Sequence, residues 1–250
     1  MKTFVLGDVH GAHKAFLQVM ERSGFDYEND LLITLGDIVD GWPDVYNLVE
    51  ELLKIKNRID IRGNHDDWFA DFIQNGLHPD GWRQGGLGTA QSYAEGIGLE
   101  LKYYQRLSIG YTLNLNSEDI PESHKKFFRG QVNYYKDEWN NLFIHGGFNK
   151  NLPLREQIDD SFYWDRRLWN QAMSSRASNQ RLNFVEDFNE IYIGHTSVTP
   201  WGSDKPMSAD LVWNMDTGAG WEGKLSLMNI TTKEVFQSDL VSTLYEKSTR

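Results

Sequence analysis

Five short β-rich runs in this chain are each followed at once by glycine and a side chain able to bind a metal, and no other feature restricts the fold as much. In order these stations are Gly7-Asp8-Val9-His10-Gly11, Gly36-Asp37-Ile38-Val39-Asp40-Gly41, Gly63-Asn64-His65-Asp66, His145-Gly146-Gly147 and Gly194-His195-Thr196. Polar side chains delivered at strand carboxyl ends are the pattern of open α/β sheets, which bind ligands there. Turn chemistry explains the glycines and some of the Asp and Asn, but it does not call for histidine at four of the five stations. Imidazole and carboxylate together suit Mn, Fe, Zn or Ni, and a chain without cysteine has no sulfur site. The pattern predicts a dinuclear centre, with Asp37, just past the apolar run Leu31-Leu32-Ile33-Thr34-Leu35, as the carboxylate between the two ions.

Taken in order, the first 65 residues read as repeated strand, loop and helix. Phe4-Val5-Leu6 leads to a helical pattern of Phe16, Leu17 and Met20, and Leu31 to Leu35 gives a second strand. Pro43-Asp44 opens a helix with Val45, Leu48, Val49, Leu52 and Leu53 on one face, and Ile59-Asp60-Ile61 delivers Arg62-Gly63-Asn64-His65. Three such deliveries point to parallel βαβ topology. Residues 67–135 change character, with Gly81-Trp82-Arg83-Gln84-Gly85-Gly86 and a helix start at Pro121-Glu122. They read as a helical insertion beside the cleft, or as ordinary connecting structure with no substrate role. Strands resume over 139–144. The stretch 174–181 is polar and aperiodic, so it is expected to be a loop. From Ile191 on, short β runs at 191–193, 212–215, 224–229 and 234–237 suggest a second, largely antiparallel sheet.

With 250 residues and 40% hydrophobic content, the chain can bury one large core, so residues 1–250 are expected to form a single catalytic domain. The net charge of −11 argues against non-specific nucleic-acid binding, which needs clustered Lys and Arg. An anionic substrate would then have to be attracted locally, and bound divalent cations would do this. Met1 to Leu6 runs straight into Gly7-Asp8, which leaves no room for a signal peptide. No stretch approaches roughly 18 apolar residues. A cytoplasmic protein without membrane attachment is expected.

The segments Gly7-Asp8-Val9-His10-Gly11, Gly36-Asp37-Ile38-Val39-Asp40, Arg62-Gly63-Asn64-His65-Asp66, Trp164-Asp165-Arg166, Gly194-His195-Thr196 and Met215-Asp216-Thr217-Gly218 occur here in one order. In these, nearly the whole chain resembles the calcineurin-like metallophosphoesterases, and among them the phosphoprotein phosphatase group that includes a bacteriophage lambda phosphatase. The resemblance implies an α/β fold of two packed mixed β-sheets flanked by helices. It implies two divalent ions, Mn2+ foremost: Asp8, His10 and Asp37 for the first, Asp37, Asn64, His145 and His195 for the second. It further implies His65 as proton donor with Asp40 as its partner, and Arg62 and Arg166 as phosphate clamps. The implied activity is phosphomonoester hydrolysis, serine/threonine phosphatase-like, by direct attack of a metal-bridged hydroxide on a phosphoprotein or small phosphoester. Protein phosphatases carry Asp-Arg-Gly where this chain reads Asp40-Gly41-Trp42, so one arginine is missing. Asn64-His65-Asp66 is closer to the symmetrical diadenosine tetraphosphate hydrolases. Dinucleoside polyphosphate or phosphodiester hydrolysis is therefore the alternative, and a non-catalytic phosphate-binding module the third reading.

Other residues receive plainer roles. Asp66 reads as a helix cap, Arg167 rivals Arg166, and a surface ion pair competes with the clamp role of Arg166. Asp216-Thr217-Gly218 reads as a turn shaping the cleft floor rather than a third metal site. His13, His78 and His124 are expected at the surface, exposed or hydrogen-bonded, and Trp42 is the one tryptophan expected to touch substrate.

Overall fold

The computed structural model describes residues 1–76, 84–106 and 110–246. Its first sheet has the order β12-β11-β1-β2-β3, in which β11 is Ser226–Asn229 and β12 is Val235–Gln237. Here β1 is Thr3–Leu6, β2 is Leu31–Thr34 and β3 is Asn57–Asp60, all parallel. The helices between them are α1, His13–Ser23, and α2, Val45–Leu52, as the apolar periodicity predicts. The inward faces are slightly narrower than expected, with Leu17 and Leu53 left partly exposed.

From β3 the chain passes through α3 (Asn64–Asn75), α4 (Gly86–Ile97), a hairpin of β4 (Tyr103–Arg106) and β5 (Gly110–Leu113), and α5 (Glu122–Arg129). The expected helical insertion thus also carries a small antiparallel sheet. His78 and the Gly81-Trp82-Arg83 part of the glycine-rich stretch lie outside the described residues. His124 is not at the surface. It is fully buried on α5, where its ring nitrogens meet the Tyr93 hydroxyl at 2.9 Å and the Glu50 carboxylate at 2.8 Å. These bonds tie α5 to α4 and α2 and offset the cost of burying an imidazole.

The second sheet has the order β6-β7-β8-β10-β9. Its strands are β6 (Tyr134–Lys136), β7 (Leu142–Ile144), β8 (Ile191–Ile193), β9 (Met207–Ala209) and β10 (Val212–Asn214). The central strands β7, β8 and β10 are parallel, with antiparallel edges. The expectation of a largely antiparallel sheet from residue 191 on is thereby corrected. The last two runs, β11 (Ser226–Asn229) and β12 (Val235–Gln237), return to the first sheet, β11 pairing antiparallel with β1.

Two helices follow β7, α6 (Asp159–Trp164) and α7 (Arg167–Ser178), and a short α8 (Val241–Leu244) ends the described chain. Helix α7 covers most of the stretch expected to be a loop. Its buried face is only Leu168, Trp169, Ala172 and Ser175, too sparse for apolar periodicity to reveal.

Strand alternation separates the layers. Phe4, Leu6 and Leu32 face α1 and α2, whereas Val5 and Ile33 face the other sheet. Likewise Leu142, Ile144, Ile191 and Ile193 face α7, whereas Phe143 and Tyr192 point inward and stack at 4.9 Å. Side chains two apart share a face, so each central strand is apolar on both faces. Burying each such side chain contributes about 1.5–3 kcal/mol. The two sheets pack face to face between helical layers, as the resemblance implies. Among the described residues, no helix is long and apolar enough to cross a membrane.

Candidate metal centre

Each sheet contributes three parallel strands whose carboxyl ends point the same way. Asp8 follows β1, Asp37 follows β2 and Asn64 opens α3 after β3, while His145, His195 and Asp216 follow β7, β8 and β10. The loops at these ends are held to one another through the backbone. His10 N–H donates to the Asp37 carbonyl at 2.8 Å, Trp42 N–H to the His10 carbonyl at 2.8 Å, and Gly194 N–H to the His145 carbonyl at 2.8 Å.

His10, Asp37, Asp40 and His195 all adopt left-handed backbone conformations, with φ of 53°, 49°, 65° and 63°. Such conformations cost non-glycine residues free energy and gather at functional sites. The glycines nearby serve close approach. A Cβ on Gly194 would lie 2.0 Å from Asp8 Oδ1, and one on Gly63 would lie 2.2 Å from Asp37 Oδ1.

Two overlapping groups result, His10 with Asp37 and His65, and Asp37 with His145 and His195. Asp37 Oδ2 lies 3.6 Å from His10 Nε2 and 3.4 Å from His145 Nε2, so it is the shared member. His145 Nε2 is also 3.1 Å from Asn64 Oδ1. Backbone carbonyls fix the far side of two imidazoles: His10 Nδ1 is 2.7 Å from the Asp40 carbonyl, and His145 Nδ1 is 2.7 Å from the Leu35 carbonyl. With Nδ1–H donated there, Nε2 is the atom each ring turns toward the cluster, as in metal-binding histidines. Asp8 accepts the His195 N–H on both carboxylate oxygens, at 3.2 and 3.0 Å.

The electrostatics call for a cation. Burial and the neighbouring Asp216 carboxylate push Asp8 well above the usual carboxylate range. Burial also works against charge on Asp37, but the imidazoles of His145, His65 and His10 outweigh it and hold Asp37 well below that range. His195 is pushed down to about 2 by burial and by the charges of His145 and Arg166, and its buried Nε2 has no hydrogen-bond partner. An orphaned lone pair beside buried carboxylates is an unsatisfied arrangement that a divalent ion satisfies. The mixed nitrogen and oxygen donors fit Mn, Fe, Zn or Ni.

Around the cluster, His65 Nδ1 is 2.9 Å from Asp40 Oδ2, and its backbone N–H at the start of α3 donates to Asp37 Oδ1 at 3.0 Å. Asp40 itself is completely buried, and Thr89 of α4 braces it. The hydroxyl donates to Asp40 Oδ1 at 2.6 Å and accepts the Asp40 N–H at 2.9 Å. Thr89 lies 49 residues from Asp40, and no local signal marks it. Asp66 is the third residue of α3 rather than its N-cap, and it closes the helix start by accepting the Gly63 N–H; it also accepts the Ile38 N–H at 2.8 Å and the Gln131 side chain at 2.9 Å. It therefore braces the Asp37 loop as well as its own helix.

The two arginines differ. Arg166 lines the cavity beside the cluster, with Nη1 donating to the His195 carbonyl at 2.6 Å and Thr196 Oγ1 at 3.1 Å. Arg62 instead pairs with Asp67 at 3.3 Å and approaches the Phe128 carbonyl at 3.4 Å. Arg167 is mostly exposed and pairs with Asp165.

Trp42 does not line the cavity. It is buried, its Nε1 donates to the Ala219 carbonyl at 2.7 Å, and its ring stacks on Tyr245 at 5.2 Å. Among the described residues, the tryptophans that do line the cavity are Trp164, Trp201 and Trp221. Gly41 has φ of 137°, where any L side chain is strained. The backbone thus has its own need for glycine where protein phosphatases carry arginine.

The calcineurin-like phosphoesterase profile matches residues 1–205. A symmetrical bis(5'-nucleosyl)-tetraphosphatase from Buchnera aphidicola is 37% identical over 67 residues, which span 26% of this chain and only 24% of that relative. The Neisseria gonorrhoeae enzyme of the same name is 24% identical over 267 residues, 95% of both chains. Among solved structures, one described as a candidate diadenosine tetraphosphatase superposes with a TM-score of 0.62 at 15% identity, over 94% of this chain and 92% of that one. A metallophosphoesterase from Sphaerobacter thermophilus gives 0.51 at 15% identity, over 95% and 87%. These structures share the fold, and the profile match over most of the chain, together with the strand-end cluster, shows that the chain belongs to the calcineurin-like phosphoesterase family.

Proposed function

We propose that the chain is a dinuclear metal-dependent hydrolase of dinucleoside polyphosphates, with diadenosine tetraphosphate as the model substrate. The supporting observation is the cavity of about 550 Å³, which is lined both by Asp8, His10, Asp37, Asn64 and His195 and by Trp164, Trp201 and Trp221. A substrate with phosphates and planar bases matches both surfaces. The relatives named as symmetrical tetraphosphatases over nearly the full chain favour the same class. Likeness to protein phosphatases is one of fold alone, so phosphoprotein hydrolysis ranks second.

In this proposal Asp8, His10 and Asp37 hold one cation, Mn2+ first, and Asp37, Asn64, His145 and His195 hold the other. Such ions, when bound, offset phosphate charge and make water nucleophilic near neutral pH. Both sheets supply ligands, so residues 1–250 act as one catalytic unit. Arg166 binds a phosphate oxygen, while Arg62 reaches the phosphate only by releasing Asp67. Asp40 orients His65 through Nδ1, which leaves Nε2 to pass a proton to the departing oxygen. The complete donor set opposes the binding-module reading.

The test compares diadenosine tetraphosphate with a phosphopeptide on the Mn2+-loaded protein, with Asp37→Asn as control. Faster turnover of the dinucleotide, with adenosine diphosphate as its product, is expected. The variant should lose turnover and at least one metal ion. Faster phosphopeptide turnover, or an active and fully metallated Asp37→Asn, would refute the assignment.

A further inference from the structure

The Asp40 carboxylate fixes one atom of the His65 ring, Nδ1, at 2.9 Å. The tilt of the ring plane about that bond depends on what packs against the ring, and the tilt decides where Nε2 points. The rings of His10 and Trp68 pack there. His10 stands edge-on with centroids 5.0 Å apart and planes at 86°, and Trp68 stands edge-on at 4.9 Å and 76°. His10 belongs to the donor cluster, whereas Trp68 does not even line the cavity. Edge-on ring pairs are both favourable and directional, so an indole at this distance limits how far the imidazole can turn.

Trp68 follows His65 by three residues on α3, a spacing that puts both side chains on one face of the helix. Long helical side chains lean back toward the N-terminus, so the indole reaches over the turn that carries His65. Its mount is held on two further sides. The indole is partly buried against the core beneath α3, and its ring meets that of Trp164 at 5.3 Å with planes at 55°. Trp164 is the last residue of α6, and its own ring stands edge-on to His195 at 6.0 Å and 89°. A row of rings thus runs from His65, which follows β3 of the first sheet, to His195, which follows β8 of the second.

We infer that Trp68 is a positioning residue: its indole holds the His65 ring at the tilt from which Nε2 faces the departing oxygen. This deepens the proposed function and rests on it for the role of His65 as proton donor. Asp40 fixes the ring at Nδ1, and Trp68 fixes its plane.

The test is a double-mutant cycle on Mn2+-loaded protein with phenyl phosphate and p-nitrophenyl phosphate, of which the first has the leaving group in greater need of a proton. Trp68→Ala should lower kcat on phenyl phosphate by roughly tenfold, a part of the roughly 10²–10⁴-fold that a general acid supplies. The loss should be smaller on p-nitrophenyl phosphate, with KM nearly unchanged on both, and Trp68→Phe should recover most of it. In a His65→Asn background Trp68→Ala should cost nothing more, because residues that act through one another are not additive. Metal analysis should find the Mn2+ content of Trp68→Ala unchanged, which separates a lost orientation from a lost cluster. An unchanged kcat in Trp68→Ala would overturn the positioning role, as would an equal loss in both backgrounds or a fall in Mn2+ content. If His65→Asn alone leaves phenyl phosphate turnover intact, it is the proton-donor reading that fails, and the role of Trp68 falls with it.

Discussion

Replacing Thr89 with valine should slow catalysis although Thr89 touches neither the proposed ligands nor the cavity. The two side chains have nearly the same shape, so the change removes a hydroxyl and leaves packing intact. That hydroxyl donates to Asp40 Oδ1 at 2.6 Å and accepts the Asp40 N–H at 2.9 Å, and both residues are fully buried. A buried polar group that loses a partner costs about 1–3 kcal/mol, and the Asp40 carboxylate and N–H each lose this one, so the fold should lose about 2–6 kcal/mol. Part of that loss can be recovered if Asp40 turns, but its other carboxylate oxygen orients His65 at 2.9 Å and would turn with it. With His65 as the proposed proton donor, misdirecting it should cost roughly tenfold or more in kcat, since about 1.4 kcal/mol is a factor of ten. The loss should be greater for substrates with poor leaving groups, with little change in KM. Denaturant unfolding and steady-state kinetics on metal-loaded protein measure both effects, and Thr89→Ser should restore them. If Thr89→Val kept wild-type stability and kcat, neither the brace on Asp40 nor its link to His65 would stand.

Two further outcomes follow from the cluster. Gly194→Ala would place a Cβ 2.0 Å from Asp8 Oδ1, so Asp8 must move; the purified variant should bind fewer than two ions, and full occupancy by metal analysis would refute the close-approach argument. Burial opposes charge on His145, yet the Asp37 and Asp8 carboxylates more than offset it and raise its pKa to about 9. An ion must displace that proton, so Mn2+ affinity should rise with pH up to about 9, with proton release detectable by calorimetry in buffers of different ionisation heat. The same shift favours the metal-free fold fully below the ordinary histidine value of 6.5, a contribution lost as pH rises through about 9. A pH-independent Mn2+ affinity would show that His145 carries no such proton.

The sequence by itself determined which metal-capable side chains the strand ends bring together. A glycine next to Asp, Asn or His just past an apolar run is a local signal, because the turn's backbone demands and the donor atom sit within a few residues. That is why the gathering of Asp8, His10, Asp37, Asn64, His145 and His195 at the strand ends was legible, and with it the contact between Asp40 and His65. Tertiary structure decided what local signals cannot carry. β11 pairs with β1 across more than 200 residues, and nothing within the β11 run states which sheet it joins. Helix α7 buries so few apolar side chains that its periodicity is invisible, and packing against the second sheet selects it. Trp42 and His124 are polar-edged rings whose placement depends on a distant partner. The Ala219 carbonyl and Tyr245 draw Trp42 into the core, and Tyr93 and Glu50 satisfy His124 there. The bracing hydroxyl of Thr89 meets the site only after the chain packs, because it arrives on an element remote in sequence from the residue it serves.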